Sequence, residues 1–331
     1  MQTLFEDNAK KRSIVAHGID MMFSNKRYIV WFWLLNAALA FLGASAFRES
    51  AHSILDHSLY SQRLVQGFDV SVFGELLARP EFGPMTEFAR PAAGLGMLFL
   101  LATALFLPGV FAGYGSTYRL PRDDFFRACG RNLWRFIRLM IIAGIVMSIV
   151  AGVLFGANGA IVKKAEESTN EILPFTLRMI GLFVIFLVMT TLRIWFDLAE
   201  ADIVLNDQRA VRKSIAAAFR HTFRSLARLL SSYVLATIFA AIFLVGGIWC
   251  WGHFVPAEGI VRAILLSQLI LLLLLIPRFW QRGMAVSYWQ QKMLIPIVAV
   301  EETVPPEPVQ VASVPEPAPI IPATTSPEHG S

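Results

Sequence analysis

Long apolar runs alternate with short polar segments along most of this chain. The runs at 28–47, 92–114, 133–156, 173–195, 226–251 and 259–280 each match the roughly 20 residues that an α-helix needs to cross a hydrocarbon core of about 30 Å. The pattern predicts an all-α fold: a polytopic transmembrane bundle of six spans at 28–295, preceded by a basic segment at 1–27 and followed by a tail at 296–331. Residues 48–91 are expected to form an extracytoplasmic loop with short amphipathic pieces. The triplet Ala44-Ser45-Ala46 imitates a signal-peptidase site, but a long polar segment before a full-length span favours an uncleaved first helix.

Two polar segments carry a helical pattern of their own. From Asp207 to Arg228, Val211, Ile215, Ala218, Phe219, Phe223 and Leu226 share one face, and Arg209, Lys213, Arg220, Arg224 and Arg228 share the other. That division suits an elbow helix lying in a membrane interface, with basic residues at headgroup level. Phe126-Arg127, Arg131, Leu133 and Arg135 repeat the spacing of Phe219-Arg220, Arg224, Leu226 and Arg228. The repeat suggests a unit of elbow plus spanning hairpin used twice, with a fainter third copy near Phe23 and Arg27.

Small residues at Gly144, Ser148, Gly152 and Gly156, each four apart, form a stripe that lets another helix approach closely, and Gly109 and Gly113 repeat the device beside Pro108. Helical spacing puts Arg193, Asp197 and Glu200 within about 60° of arc, a pattern that fits a polar latch or a proton or ion relay, with Asp202 pointing the opposite way. Trp31, Trp33, Tyr114, Trp134, Trp195, Trp249, Trp251 and Trp280 fall near run ends, where an interfacial aromatic belt is expected.

Composition agrees with a membrane protein: 56% of residues are hydrophobic and only 16% charged, against roughly 25% charged in soluble domains. The formal charge of +5 sits beside apolar runs, so anionic lipid headgroups, not nucleic acid, are the expected partner, with protein partners or a homo-oligomer also open. Segments 1–27, 115–132, 196–229 and 278–331 hold 18 Lys and Arg, against 6 in 48–91, 157–172 and 252–258. The positive-inside rule then places both termini in the cytoplasm, with the inner (cytoplasmic) membrane as the expected location. The Pro- and Glu-rich composition of the tail predicts disorder.

At the two elbows, above all LAEADIVLNDQRAVRKSIAAAFRHTFRSLARLLSSYVL, the chain resembles uncharacterised bacterial six-helix membrane proteins related to the membrane domain of some glycerophosphoryl diester phosphodiesterases. The resemblance covers roughly residues 90–295. In the fused enzymes the chemistry belongs to a separate barrel domain, so it implies a membrane bundle and no catalytic residues here. No catalytic residue, metal site or cofactor is expected: Cys129 and Cys250 have no convincing His partner, and no phosphate-binding Gly-rich lysine loop or HExxH pattern occurs. The expected role is a non-enzymatic protein acting through helix packing and lipid or protein contacts. A transporter or channel for an unidentified solute is the alternative, and a lipid-active enzyme using His52, Asp56 and His57 comes third.

Overall fold

The computed structural model describes residues 13–55, 85–116, 118–167, 172–255 and 260–293, with side chains left out for 44–55, 85–93 and 260. All elements among them are helices: α1 (Ile14–Ser24), α2 (Arg27–Leu55), α3 (Met85–Gly115), α4 (Arg122–Glu166), α5 (Ile172–Leu205), α6 (Val211–Arg224), α7 (Leu226–Phe254) and α8 (Ile260–Lys292). Five of them contain a stretch long and apolar enough to cross a membrane, at Gly94–Gly115, Arg122–Glu166, Ile172–Leu205, Leu226–Phe254 and Val261–Lys292. The shorter apolar stretch Arg27–Gly43 belongs to α2. The protein is an all-α, multi-pass integral membrane protein. Helices α2 and α3 extend into the segment expected to be a loop, and the tail at 296–331 lies outside the described residues.

The helices form three similar units, each an elbow followed by a hairpin. In the first, α1 precedes α2 and α3; in the third, α6 precedes α7 and α8. The chain breaks its helix briefly in both elbows, over Asn25 and Lys26 with Asn25 at φ −116° and ψ 31°, and at Ser225 with φ −124° and ψ 27°. In the second unit the elbow is the first three turns of α4, which runs unbroken through Asn132. Asn25 and Asn132 each send Nδ2 to the carbonyl four residues back, at 3.1 Å in both. Aligning Asn25, Asn132 and Ser225 brings the buried positions into register. Gly18, Phe125 and Ala218 are buried, as are Met22, Cys129 and Thr222, then Ile29, Phe136 and Leu229, and finally Phe32, Leu139 and Ser232. Identity differs at every one of these positions, so the repeat lies in which face is covered, not in which letters cover it.

The units close into a ring. The second helices of the hairpins, α3, α5 and α8, pack against one another at the centre. Each also packs against the elbow of the next unit, α3 on α4, α5 on α6 and α8 on α1, so the last unit returns to the first. The joint of α8 with α1 is close enough that a Cβ added to Gly283 would lie 2.6 Å from the carbonyl oxygen of Gly18. The outer helices α2, α4 and α7 fill the gaps between neighbouring inner helices.

Candidate functional site

The buried polar residues gather at the elbow end of the inner helices. Asp197 on α5 is 7% exposed and its Oδ2 lies 3.7 Å from Arg193 Nε, one turn back. The same oxygen is 3.0 Å from the Tyr233 hydroxyl of α7, which also reaches the Gln281 carbonyl of α8 at 3.1 Å. One phenolic proton serves these two acceptors. Gln281 returns the contact, its Nε2 donating to Thr237 Oγ1 at 3.3 Å and to the Tyr233 carbonyl at 3.4 Å. Glu200, one turn beyond Asp197, lies within electrostatic reach of Arg282 on α8, which in turn faces Asp197, Arg193 and Tyr114. The Arg282 guanidinium rests 5.1 Å from the Phe279 ring centre and 5.9 Å from that of Phe32. Asp202, on the opposite side of α5, accepts from the Trp289 indole at 3.2 Å. The cluster therefore ties α5 to α7 and α8 on two faces. Buried carboxylates held by such partners are costly to expose singly and act as a joint.

Arg193, Asp197 and Glu200 stand near one another on α5, and the residues around the cluster, Tyr233, Gln281, Arg282 and Trp289, come from helices that local spacing cannot link. The belt reading fails for two aromatics. Tyr114 and Trp280 are 2% and 7% exposed because α3 and α8 turn these residues into the ring, and Trp280 donates its indole N–H to the Val15 carbonyl at 3.1 Å. Trp195 makes the matching bond to the Ile215 carbonyl at 2.8 Å. Val15 and Ile215 are equivalent positions of the first and third elbows, so an indole seals the start of each. Trp134, Trp249 and Trp251 remain exposed, as an aromatic belt requires.

The basic elbow residues divide into two sets. On α4, Arg135 Nη1 donates to Asp207 Oδ1 at 2.7 Å and to Asn132 Oδ1 at 3.2 Å, and Arg131 lies 3.7 Å from the same carboxylate. Asp207 occupies the turn between α5 and α6 at φ 46°, a left-handed conformation that Asp tolerates better than most side chains. The hydrogen bond from Arg135, followed by the charges of Arg131 and Arg135, holds its carboxyl below the usual range despite some desolvation. Arg127, Arg209, Lys213, Arg220, Arg224 and Arg228 are exposed. The packing glycines divide as well. Gly109 sits against Phe125 and Cys129, and Gly113 against the Tyr28 ring, whereas a Cβ at Gly144, Gly152 or Gly156 would meet nothing, and Ser148 shares that stripe. Of the His52, Asp56 and His57 cluster, Asp56 and His57 lie outside the described residues and the His52 side chain is not described.

No family model, curated protein or solved structure matches the chain.

Proposed function

We propose that the protein is a non-enzymatic, lipid-contacting scaffold of the cytoplasmic membrane that crosses it six times, with its elbows and both termini on the cytoplasmic face. The observation that carries this reading is the three-way division of α6. Val211, Ser214, Ala218 and Thr222 are buried against the bundle, Phe219 and Phe223 stand 46% and 52% exposed, and Lys213, Arg220 and Arg224 are exposed beside them. Paired aromatics left uncovered next to a basic stripe fit an interface in which rings enter the acyl region and guanidinium groups meet anionic headgroups. The resemblance to the membrane domain of glycerophosphoryl diester phosphodiesterases accords with a scaffold that lacks a reaction of its own. A transporter would need a polar path between the inner helices, and there the carboxylates Asp197 and Asp202 are taken up by Tyr233, Arg193 and Trp289.

The test is lipid retention by the full chain in nanodiscs of mixed phosphatidylcholine and phosphatidylglycerol, followed by native mass spectrometry. Enrichment of phosphatidylglycerol that drops on Arg220→Glu/Arg224→Glu is expected; retention that ignores headgroup charge and is unchanged in the variant contradicts the reading. Reporter fusions after Arg79 and after Pro305 should report outside and inside respectively.

A further inference from the structure

The three joints between an inner helix and the next elbow are not equally filled. Trp195 and Trp280 seal two of them with an indole bonded to an elbow carbonyl. At the third joint α3 offers Phe106. Its ring meets Phe126 edge-on at 6.5 Å, just as Trp195 meets Phe219 at 5.1 Å, and Phe126 and Phe219 are equivalent in the repeat. The equivalent elbow position to Ile215 is Arg122. Phenylalanine is smaller than tryptophan and has no N–H, so this joint is left open. There a cavity of about 450 Å³ is lined by Trp31, Phe32, Leu35, Phe106, Arg122 and Phe126, a volume within the roughly 300–1,000 Å³ of small-molecule sites.

The lining is graded along the helix axis. Arg122 stands at the first residue of α4, Phe126 one turn deeper, and Trp31 and Leu35 are one turn apart on α2. The Arg122 side chain makes no hydrogen bond or ion pair with the described residues. Arg27 and Arg282 approach the Trp31 and Phe32 rings but do not line the cavity: Arg27 donates to the Leu120 carbonyl at 2.6 Å and Arg282 belongs to the polar cluster of α5 and α8, which leaves Arg122 as the cation of the lining. The start of a helix adds partial positive charge. Asp123 and Asp124 follow Arg122 on α4 and neither lines the cavity. One cation, Arg122, beside aromatic and aliphatic walls matches a phospholipid with a net negative headgroup.

We infer that the cleft between α2, α3 and the start of α4 holds one acyl chain of an anionic phospholipid drawn from the bilayer, with its phosphate on Arg122. The inference rests on the elbows lying at the headgroup level. It assigns a single retained lipid to one joint, apart from the diffuse lipid held by exposed basic residues on α6.

Phe106→Trp tests it directly, because the residue placed there is the one the other two joints already use. In phosphatidylglycerol nanodiscs, native mass spectrometry of the wild type should show one anionic lipid surviving delipidation. Phe106→Trp should lose it while keeping the thermal midpoint at or above the wild-type value. Arg122→Gln, which leaves the aromatic walls in place, should weaken its retention about fivefold. Brominated phosphatidylglycerol should quench tryptophan emission in the wild type, and Trp31→Phe should remove that component. Retention of the lipid in both Phe106→Trp and Arg122→Gln, or equal retention of phosphatidylcholine, overturns the inference. Should Arg220→Glu/Arg224→Glu alone reduce bound lipid, the cleft assignment fails and the scaffold reading stands.

Discussion

The elbow end and the far end of the same helices are built on different terms. At the elbow end Ile194, Phe196, Leu198, Ala199, Ala201, Phe279, Met284, Ala285 and Val286 are all buried, and Asp197, Asp202 and Gln281 bond across helices. Toward the far end Ile141, Ile145, Ile149 and Val153 of α4 and Phe175, Met179 and Phe183 of α5 stand exposed. Only 6% of the most apolar stretch of α4, and the same share of that of α5, is buried within the chain. Lipid tails are as apolar as leucine, so inside a bilayer helices gain nothing by hiding leucine from the solvent. They hold together where backbones approach closely or where polar groups need partners. Gly18, Gly283, Gly109 and Gly113 provide close approach at the elbow end, and the Asp197–Tyr233–Gln281 group provides partners. Gly144, Gly152 and Gly156 approach no other described helix. A motif for close packing is only an opportunity: this stripe is left open, while nearer the far end single glycines, Gly181 against Asn158 and Gly247 against Ile270, bring the two helices of a hairpin together.

The largest break in this comparison should come from Gly283→Leu. Its side chain would drive into the Gly18 backbone and part α1 from α8. Overpacking a tight contact costs about 1–3 kcal/mol and sometimes more. Gly152→Leu, facing open space, should stay within about 0.5 kcal/mol of the wild type. Thermal unfolding of both variants in the same detergent checks the contrast, and equal losses would mean that the far end is packed as tightly as the elbow end.

Tyr233→Phe should rank second. It removes a hydrogen bond to the buried Asp197 carboxylate without changing shape, for a loss of about 1–3 kcal/mol. Denaturant titration of the variant beside Tyr118→Phe, an exposed tyrosine, separates the bond from the hydroxyl as such.

How much of this could be read from the chain depends on the distance between partners. The spans and the α6 elbow are local patterns, and periodicity finds them. The Arg193–Asp197 pair is also local, one turn apart. Tyr233 is 36 residues from Asp197 and 48 from Gln281, and Trp289 is 87 from Asp202, and no spacing rule joins them. The third copy of the elbow was faint for a different reason. Ile19 and Asp20 stand where the third unit has Phe219 and Arg220, so the basic letters that announce the other elbows are missing while the buried register is kept. Tyr114 and Trp280 show the limit of the belt argument. An aromatic near a span end is equally suited to an interface and to the joint between two helices, and only the packing distinguishes them.

Trp195→Phe sharpens the comparison among the three joints. Losing the indole bond to Ile215 should cost about 0.5–1.5 kcal/mol, and it should open a second cleft like the one at Phe106. Because Ile215 stands where the first cleft has Arg122, an additional retained phosphatidylglycerol in native mass spectra is expected only when Ile215→Arg is combined with Trp195→Phe.

The smallest effect belongs to Asp207. Its carboxyl is depressed by Arg135, so it stabilises the folded protein above an unfolded pKa of about 3.9 and loses that contribution as pH falls through the folded value. Asp207→Asn keeps a side chain tolerant of the turn and should cost about 0.2–1 kcal/mol at pH 7, as for exposed ion pairs. The two proteins should converge at the acid end of a stability profile.

Closure of the ring by α8 onto α1 is the central claim, and a cross-link measures it most directly. His17 Nε2 and Gln290 Oε1 lie 3.4 Å apart across that joint. In a chain with Cys129 and Cys250 replaced by alanine, His17→Cys/Gln290→Cys should be joined within one molecule by a short bis-maleimide whose spacer contains a reducible disulfide, since side chains that meet tip to tip leave their Cβ atoms too far apart for a direct disulfide. A protease site inserted at residues 56–84 makes the product visible as two fragments that separate only on reduction. Fragments that separate without reductant, or a cross-link found only between two chains, would contradict a ring closed within one molecule.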